Sequence, residues 1–215
     1  MKVSTAEIPT ERADATAAKL GRPRDLQAEQ RILEAALRIY GERGWYGINM
    51  QEVAKAARVS KGLLYSRWTA VEEILTAAFE SLNHPDVVRA AAIEDVLRAE
   101  CHRLADLFLG PHGPALMRLW VEGSVGPDFL RTLLADVNLE QAALLRARVL
   151  RAVREGELPE SCSPTRLMDV IEGAMFAHIF MTPPTKRPRM RSKVDIYINA
   201  LVHEQLCVAR QCAVE

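Results

Sequence analysis

The chain has 215 residues, of which 49% are apolar and 26% charged, and this composition is typical of a globular protein that buries a sizeable core. The 28 lysines and arginines equal the 28 aspartates and glutamates, so contact with nucleic acid would have to rest on local clusters of cations. No apolar run approaches the ~20 residues that a membrane span needs, and the first residues lack the apolar core of a signal peptide.

The cysteines are spread along the chain without a Cys-x-x-Cys spacing, at Cys101, Cys162, Cys207 and Cys212. Reduced thiols are favoured over a disulfide pair, because no signal peptide accompanies these cysteines. We therefore expect a cytoplasmic protein that does not cross a membrane.

Residues 1–25 are polar and rich in alanine, threonine and glutamate, which predicts a mobile arm. The arm ends in the basic tetrapeptide Gly21-Arg-Pro-Arg24. Proline extends the backbone, so Arg22 and Arg24 could lie along a DNA minor groove. The alternative is a solvated tail.

Residues 26–43 are predicted to form an amphipathic helix, because apolar residues recur there at a spacing of three or four. Its apolar stripe consists of Ile32, Ala35, Ala36, Ile39 and Tyr40. Gly44 is placed to end the helix in the left-handed conformation.

Two short helical patterns then meet at a tight joint. The first carries an apolar face made of Met50, Val53, Ala54 and Ala57, and Asn49 is placed to cap it. The second runs from Lys61 to Trp68 behind Ser60 as its cap, and it is too short to be stable alone. This is the helix-turn-helix pattern, whose second helix enters the DNA major groove.

Residues 32–68 resemble the amino-terminal domain of tetracycline-repressor (TetR) type regulators. The resemblance rests on Ile32-Leu-Glu-Ala-Ala-Leu37, Gly44-Trp-Tyr-Gly47, Val53-Ala54, Val59-Ser-Lys-Gly-Leu-Leu-Tyr65 and Trp68. It implies an all-α fold of about nine helices. An amino-terminal helix-turn-helix DNA-binding domain (26–83) would precede a helical effector-binding and dimerisation domain (84–215).

We expect contact with DNA mainly from the second helix of the motif. Lys61 and Arg67 could reach phosphates or base edges, Tyr65 could donate its hydroxyl to a phosphate, and Leu63 could meet a thymine methyl. Gly62 would let the backbone approach DNA closely. The full predicted set is Arg22, Arg24, Asn49, Arg58, Ser60, Lys61, Gly62, Leu63, Tyr65 and Arg67.

The motif departs from the family at two points. Arg58 stands where the family usually has glycine in the turn, so a positive φ would be strained there. Thr69-Ala-Val71 replaces a lysine that commonly opens the next helix and grips a phosphate. Thr69 is expected to cap that helix, and Arg67 to replace the lost contact.

Residues 71–82 are predicted as a fourth helix that packs under the DNA-binding domain, and the resemblance implies that it transmits motion from the second domain. Asn83-His-Pro-Asp86 follows as the domain boundary. Five more helices are predicted, at 93–109, 115–124, 128–154, 164–181 and 192–210. A basic, proline-rich loop is expected at 183–191, with Ser192 capping the last helix.

The helix at 164–181 is apolar nearly all round, so it must be covered on every side. A partner subunit would cover it and the last helix in a two-fold four-helix interface. A larger core within one chain is the alternative.

The second domain contains aromatic, methionine and histidine side chains that could line an apolar effector cavity. These are His102, Phe108, Met117, Trp120, Phe129, Phe176 and His178. Each could instead be ordinary core. Few charged residues fall among them, so we expect a mostly apolar effector.

No Gly-x-Ser-x-Gly, Walker loop or His-Glu-x-x-His motif is present, and the histidines are scattered, so we expect no catalysis, metal or cofactor. The sequence predicts a homodimeric repressor that binds a palindromic operator in double-stranded DNA and is released by a small-molecule effector. The alternative is a helical ligand- or partner-binding protein that retains a weakened helix-turn-helix.

Overall fold

A computed structural model describes residues 26–82 and 92–211. These residues form ten α-helices, two short 3-10 helices and no strand. The α-helices are α1 Leu26–Arg43, α2 Met50–Ala57, α3 Lys61–Tyr65, α4 Val71–Glu80, α5 Ile93–Leu109, α6 Gly113–Val125, α7 Asp128–Arg154, α8 Pro164–Met181, α9 Arg187–Arg191 and α10 Val194–Gln211. The 3-10 helices are Trp45–Gly47 and Pro184–Lys186.

The all-α prediction is confirmed, and the long helices have nearly the predicted bounds. The prediction of an irregular loop at 183–191 was wrong, because the 3-10 helix and α9 occupy it. Ser192 does not cap α10, since its hydroxyl donates to the carbonyl of Arg189 at 2.9 Å. The predicted arm at 1–25 and the predicted boundary at 83–86 lie outside the described residues.

The cap predicted for α4 was also wrong, because Thr69 donates hydrogen bonds there instead of accepting one. Ala70 holds the cap position and makes no side-chain bond. Instead the carboxylate of Glu73, within the helix, accepts hydrogen bonds from the amide and the hydroxyl of Thr69, both at 2.7 Å. Both bonds lower the pKa of Glu73, and the bond from the hydroxyl has the larger effect.

Helix α1 is the centre of the amino-terminal domain. Its Ile32, Ala36 and Tyr40 are fully buried, and Tyr40 meets Phe79 of α4 edge to face, with ring centroids 5.8 Å apart. Leu64 of α3 is fully buried as well. Burial of this apolar surface, rather than helix propensity, holds the short α3 in place.

Helix α5 is the centre of the second domain, packed against α6, α7, α8 and α10. Its buried face includes Leu97, Cys101, Leu104 and Phe108. Burial raises the pKa of the Cys101 thiol to about 12, and Glu100 and Glu172 add to the effect. The thiol is therefore protonated near neutral pH and is a poor nucleophile.

Helix α6 joins the two domains. Its Arg118 donates from Nε to the carbonyl of Gly41 at 3.3 Å, and its Glu122 accepts from the amide of Trp45 at 3.1 Å. Gly44 lies between these partners with φ 72 and ψ −172, so its φ is positive as predicted, although its ψ is extended. A β-carbon at Gly44 would come within 2.4 Å of Glu122 Oε1.

Candidate DNA-binding surface and ligand cavity

Helix α2 begins at a side-chain cap. Asn49 Oδ1 accepts hydrogen bonds from the amides of Gln51 and Glu52, both at 3.0 Å. This confirms the predicted cap. The side-chain NH₂ of Asn49 remains available as a donor at the positive end of the helix, which suits an anion such as a DNA phosphate.

Helix α3 is held at its start and along its inner face. Ser60 Oγ accepts from the amide of Leu63 at 3.1 Å, which confirms the predicted cap. Leu64 and Trp68 point into the core, with 0% and 8% exposure. The opposite face is therefore presented to solvent, and it carries Lys61 and Tyr65.

Gly62 lies on this outer face. A β-carbon added to it would have nothing within 4 Å, so the protein itself does not require a glycine there. The open space fits the prediction that a DNA backbone approaches this point.

The turn between α2 and α3 begins at Arg58, which caps the end of α2 in the left-handed conformation, with φ 55 and ψ 46. Arg58 is the one non-glycine residue with a positive φ among residues 26–82 and 92–211. The strain predicted from the missing glycine is present, and the exposed side chain adds a cation beside α3.

Arg67 does not extend from α3 toward solvent. Its Nη1 lies 2.7 Å from Glu29 Oε2 of α1, and its side chain is only 18% exposed. The ion pair ties the segment that follows α3 to α1 and engages the guanidinium that was expected to contact DNA. Sequence spacing could not reveal this, because Glu29 lies 38 positions away. Arg22 and Arg24 lie outside the described residues.

A cavity of about 110 Å³ lies among helices α4–α8. Most of its wall is apolar and comes from Phe79, Leu82, Leu104, Leu107, Phe108, Leu116, Leu119, Trp120, Leu134, Val137, Ala142 and Phe176. The ring centroid of Phe176 lies 4.7 Å from that of Phe108 and 4.7 Å from that of Trp120. Three of the seven predicted pocket residues are therefore brought together here.

The other four predicted pocket residues lie elsewhere. His102 Nδ1 faces Asp195 at 3.7 Å, and His178 stacks on Tyr197 with ring centroids 3.8 Å apart. Phe129 packs on Trp45 of the amino-terminal domain at 5.2 Å, and Met117 packs half-buried against the core. These four residues do not line this cavity, because residue type does not tell which side of a multiply packed helix faces a cavity.

Polar residues missed from the sequence occupy part of the cavity wall. Arg103 donates to the buried Glu100 from Nε at 2.8 Å and from Nη2 at 2.5 Å. Gln141 donates from Nε2 to Glu100 at 2.8 Å. Glu172 completes the group, and burial, reinforced by Glu100, raises its pKa to about 7. The signal for Glu172 was its position in a helix otherwise apolar nearly all round.

Helix α6 connects the cavity with the amino-terminal domain. Leu119 and Trp120 line the cavity, while Arg118 and Glu122 bond to the end of α1 and to Trp45. Helix α4, predicted to carry this coupling, also reaches the cavity through Phe79. A shift of α6 or of α4 would therefore change both the cavity and the amino-terminal domain.

The capped, exposed α3 and the helices around the cavity define a helix-turn-helix protein with a second, all-helical domain. One family model, "Bacterial regulatory proteins, tetR family", matches residues 32–78. A second, "Tetracyclin repressor-like, C-terminal domain", matches residues 92–196. The chain belongs to the TetR family and is a DNA-binding transcriptional regulator.

Individual proteins agree with this assignment. An uncharacterized HTH-type transcriptional regulator of Mycobacterium tuberculosis is 27% identical over 174 residues, which cover 78% of this chain and 84% of that protein. GusR of Salmonella enterica is 18% identical, covers 88% of this chain and 99% of its own, and superposes with a TM-score of 0.67. FadR of Bacillus subtilis, solved with stearoyl-CoA, is 18% identical with a TM-score of 0.61, over 86% of this chain and 99% of that chain.

Among the residues that the structure describes, no helix combines the length and apolar character needed to cross a membrane.

Proposed function

We propose that the protein is a cytoplasmic, homodimeric repressor that leaves a palindromic operator when a small molecule enters the α4–α8 cavity. The observation that carries this proposal is the double role of α6, whose Trp120 lines the cavity and whose Glu122 holds Trp45. A ligand that binds one position of α6 better than another would shift the spacing of the two recognition helices.

On DNA, α3 lies in the major groove with Lys61, Gly62 and Tyr65 foremost. Lys61 and Tyr65 are exposed and make no hydrogen bond or ion pair among the described residues. Asn49 and Ser60 sit at the capped helix starts, where a phosphate is favoured. Leu63 is half-buried, so only part of its side chain is offered to a thymine methyl.

Two flanking contacts complete the docking. Arg58 places its charge beside α3, and Arg22 and Arg24 would follow the minor groove. Arg67 contacts DNA only if its ion pair with Glu29 breaks. One such short helix binds weakly, so a dimer that reads two half-sites about 34–36 Å apart is required.

The dimer would form through α8 and α10. Their outer faces expose Val170 and Met181 on α8, and Ile196 and Val208 on α10, with exposures of 40%, 84%, 72% and 52%. Exposed apolar side chains on two neighbouring helices fit a four-helix interface across a two-fold axis.

The size of the cavity bounds the effector. A cavity of about 150 Å³ holds benzene, and this one is about 110 Å³. A long acyl chain such as that in the stearoyl-CoA complex of FadR would need side chains to move apart. We infer a ligand of roughly one aromatic ring, which binds without chemical change.

The test is fluorescence anisotropy of the full chain on the intergenic DNA beside its own gene, titrated with salt and random-sequence competitor. The expected result is competitor-resistant binding at two chains per site. Tyr65→Phe should weaken binding modestly, and deleting residues 1–24 should weaken it several-fold if the arm enters the minor groove.

A second function is favoured by two observations. Arg58 is strained, and Val71 stands where a phosphate-binding lysine is usual, so the protein could be a ligand- or partner-binding protein with a weakened helix-turn-helix. Selection from a random DNA pool separates the two functions, since failure to enrich any palindrome would reject the repressor.

A further inference from the structure

The charged groups at the cavity do not balance. Glu100 is 3% exposed and accepts hydrogen bonds from Nε and Nη2 of the Arg103 guanidinium, so these two charges neutralise each other. Glu172 makes no hydrogen bond or ion pair with any residue in 26–82 or 92–211. Arg103 and Glu172 line the cavity and Glu100 lies behind the wall, so this group carries one carboxylate more than its single cation pairs.

Gln141 adds an unused acceptor. Its side chain is 94% buried, as its exposure is 6%, and its Nε2 donates to Glu100 at 2.8 Å. A carboxylate accepts but does not donate, so Glu100 fixes the orientation of this amide. Gln141 Oε1 is then left buried with no hydrogen-bond partner among the described residues. A buried unpaired carbonyl is costly and is relieved by a donor.

Aromatic rings stand beside these acceptors. Phe176 follows Glu172 by one helical turn on α8, so the two side chains share a face. The ring of Phe176 packs against Trp120 at 4.7 Å, and all three residues line the cavity. Ring faces attract a cation, and Trp attracts it most strongly.

We propose that the cavity takes a small apolar amine, whose protonated nitrogen bonds to Glu172 and Gln141 Oε1 and whose hydrocarbon part lies against Phe108, Trp120 and Phe176. This proposal names the effector of the regulator proposed above and rests on that function only for its biological consequence. A carboxylate ligand is disfavoured, because Arg103 is occupied by Glu100 and Glu172 would repel it.

The test is calorimetric titration of the full chain with three probes that share a phenylethyl group. These are 2-phenylethylamine, 2-phenylethanol and 3-phenylpropanoate, which present an ammonium, a hydroxyl and a carboxylate behind the same ring. The ammonium should bind at least about tenfold more tightly than the alcohol at about pH 8, and the carboxylate most weakly.

Two variants locate the effect. Glu172→Gln keeps the shape of the side chain and should bring the ammonium and the alcohol to equal affinity. Asp169→Asn removes an exposed carboxylate from the same helix and should preserve the tenfold preference. Both variants are first checked for unchanged helical content by circular dichroism.

The outcomes separate this inference from the proposed function. If the protein binds its operator but prefers the alcohol or the carboxylate, or keeps its ammonium preference in Glu172→Gln, the amine assignment is overturned and the regulator stands. If the ammonium binds with the expected preference but does not release DNA, the amine site stands and the repressor mechanism fails. Absence of any heat with the ammonium at about 10 mM overturns the amine assignment, since the weakest specific binding would be visible there.

Discussion

The DNA-binding surface and the cavity are built in different ways. The surface comes from residues 49–68, where two side-chain caps and two buried residues orient one short helix. The cavity draws its wall from five helices, between Phe79 and Phe176. Local hydrogen bonds thus define the first, while long-range packing defines the second. This difference explains why one can be recognised as a motif and the other only as a structure.

The two regions also use charge in opposite ways. Lys55, Arg58 and Lys61 are exposed cations around α3, whose attraction to phosphate depends on salt. Glu100 and Glu172 are acids at a cavity, where burial makes each unpaired charge costly. A neutral chain can therefore present a positive surface and an acidic cavity.

The largest effect is expected at Gly44, where α6 contacts the amino-terminal domain. Gly44→Ala forces a β-carbon onto a residue with φ 72, within 2.4 Å of Glu122 Oε1 and 2.7 Å of Arg118 Nη1. Strain and the lost Trp45–Glu122 bond should lower the free energy of unfolding by about 2–3 kcal/mol. Urea denaturation followed by circular dichroism measures it.

The matched control is Gly62→Ala in α3, where a β-carbon meets nothing within 4 Å. It should leave stability unchanged or raise it by about 0.5–1 kcal/mol, yet weaken DNA binding. Equal losses of stability in the two variants would show that the junction is not specially constrained.

How far the sequence predicts each region follows from the same contrast. The caps at Asn49 and Ser60 and the strained Arg58 were predicted correctly, because each depends on residues at most a few positions away. Arg67 was expected on DNA, but Glu29 binds it from 38 positions earlier. Pocket residues were predicted from residue type alone, and of these Phe108, Trp120 and Phe176 line the cavity.

The same reasoning also selected His102, Met117, Phe129 and His178, which do not line the cavity, and it did not select the polar residues of the wall. Helices packed on several sides, as α5 and α8 are, offer more than one inward face, so the face toward a cavity follows from tertiary packing alone. The bond between Gln141 and Glu100 likewise spans 41 positions and crosses from α7 to α5.

The second prediction tests the acidic cavity through stability. The pKa of Glu172 is about 7 in the folded protein, against an ordinary 4.5, so the fold binds this proton more tightly than the unfolded chain does. The stabilisation from the protonated group is full below pH 4.5 and is lost as the pH rises through about 7. Glu100, Arg103, Cys101 and Asp169 are the other titratable groups around it.

Glu172→Gln removes that loss. When the pH rises from about 4 to about 8, the free energy of unfolding of this variant should increase by on the order of 1 kcal/mol relative to that of the wild type, a figure reduced for the partial exposure of the Glu172 side chain. Urea denaturation of both proteins at the two pH values measures the difference. A gain of the same size in Asp169→Asn would mean that surface charge, not the cavity, is responsible.

The left-handed conformation of Arg58 should be visible in the stability of the protein. Arg58→Gly relieves a left-handed conformation at φ 55 and should stabilise the protein by about 1 kcal/mol relative to Arg58→Ala, which keeps the strain. Both variants lose the same charge, so their DNA affinities should fall together. Thermal unfolding of the pair is the measurement, and equal melting temperatures would mean that the turn bears no strain.

The smallest effect is expected in the salt dependence of DNA binding at Lys61 and Arg67. Lys61 is exposed and without an ion pair among the described residues, so Lys61→Ala should reduce the slope of log affinity against log salt by about one for each half-site. Arg67 is already neutralised by Glu29 at 2.7 Å, so Arg67→Ala should leave that slope nearly unchanged and lower folding stability instead. Anisotropy titrations at four salt concentrations measure both slopes.

A drop of one unit in Arg67→Ala would mean that DNA pulls the guanidinium away from Glu29, and the surface would then rearrange on binding. An unchanged slope in Lys61→Ala would instead remove Lys61 from the residues that meet phosphate.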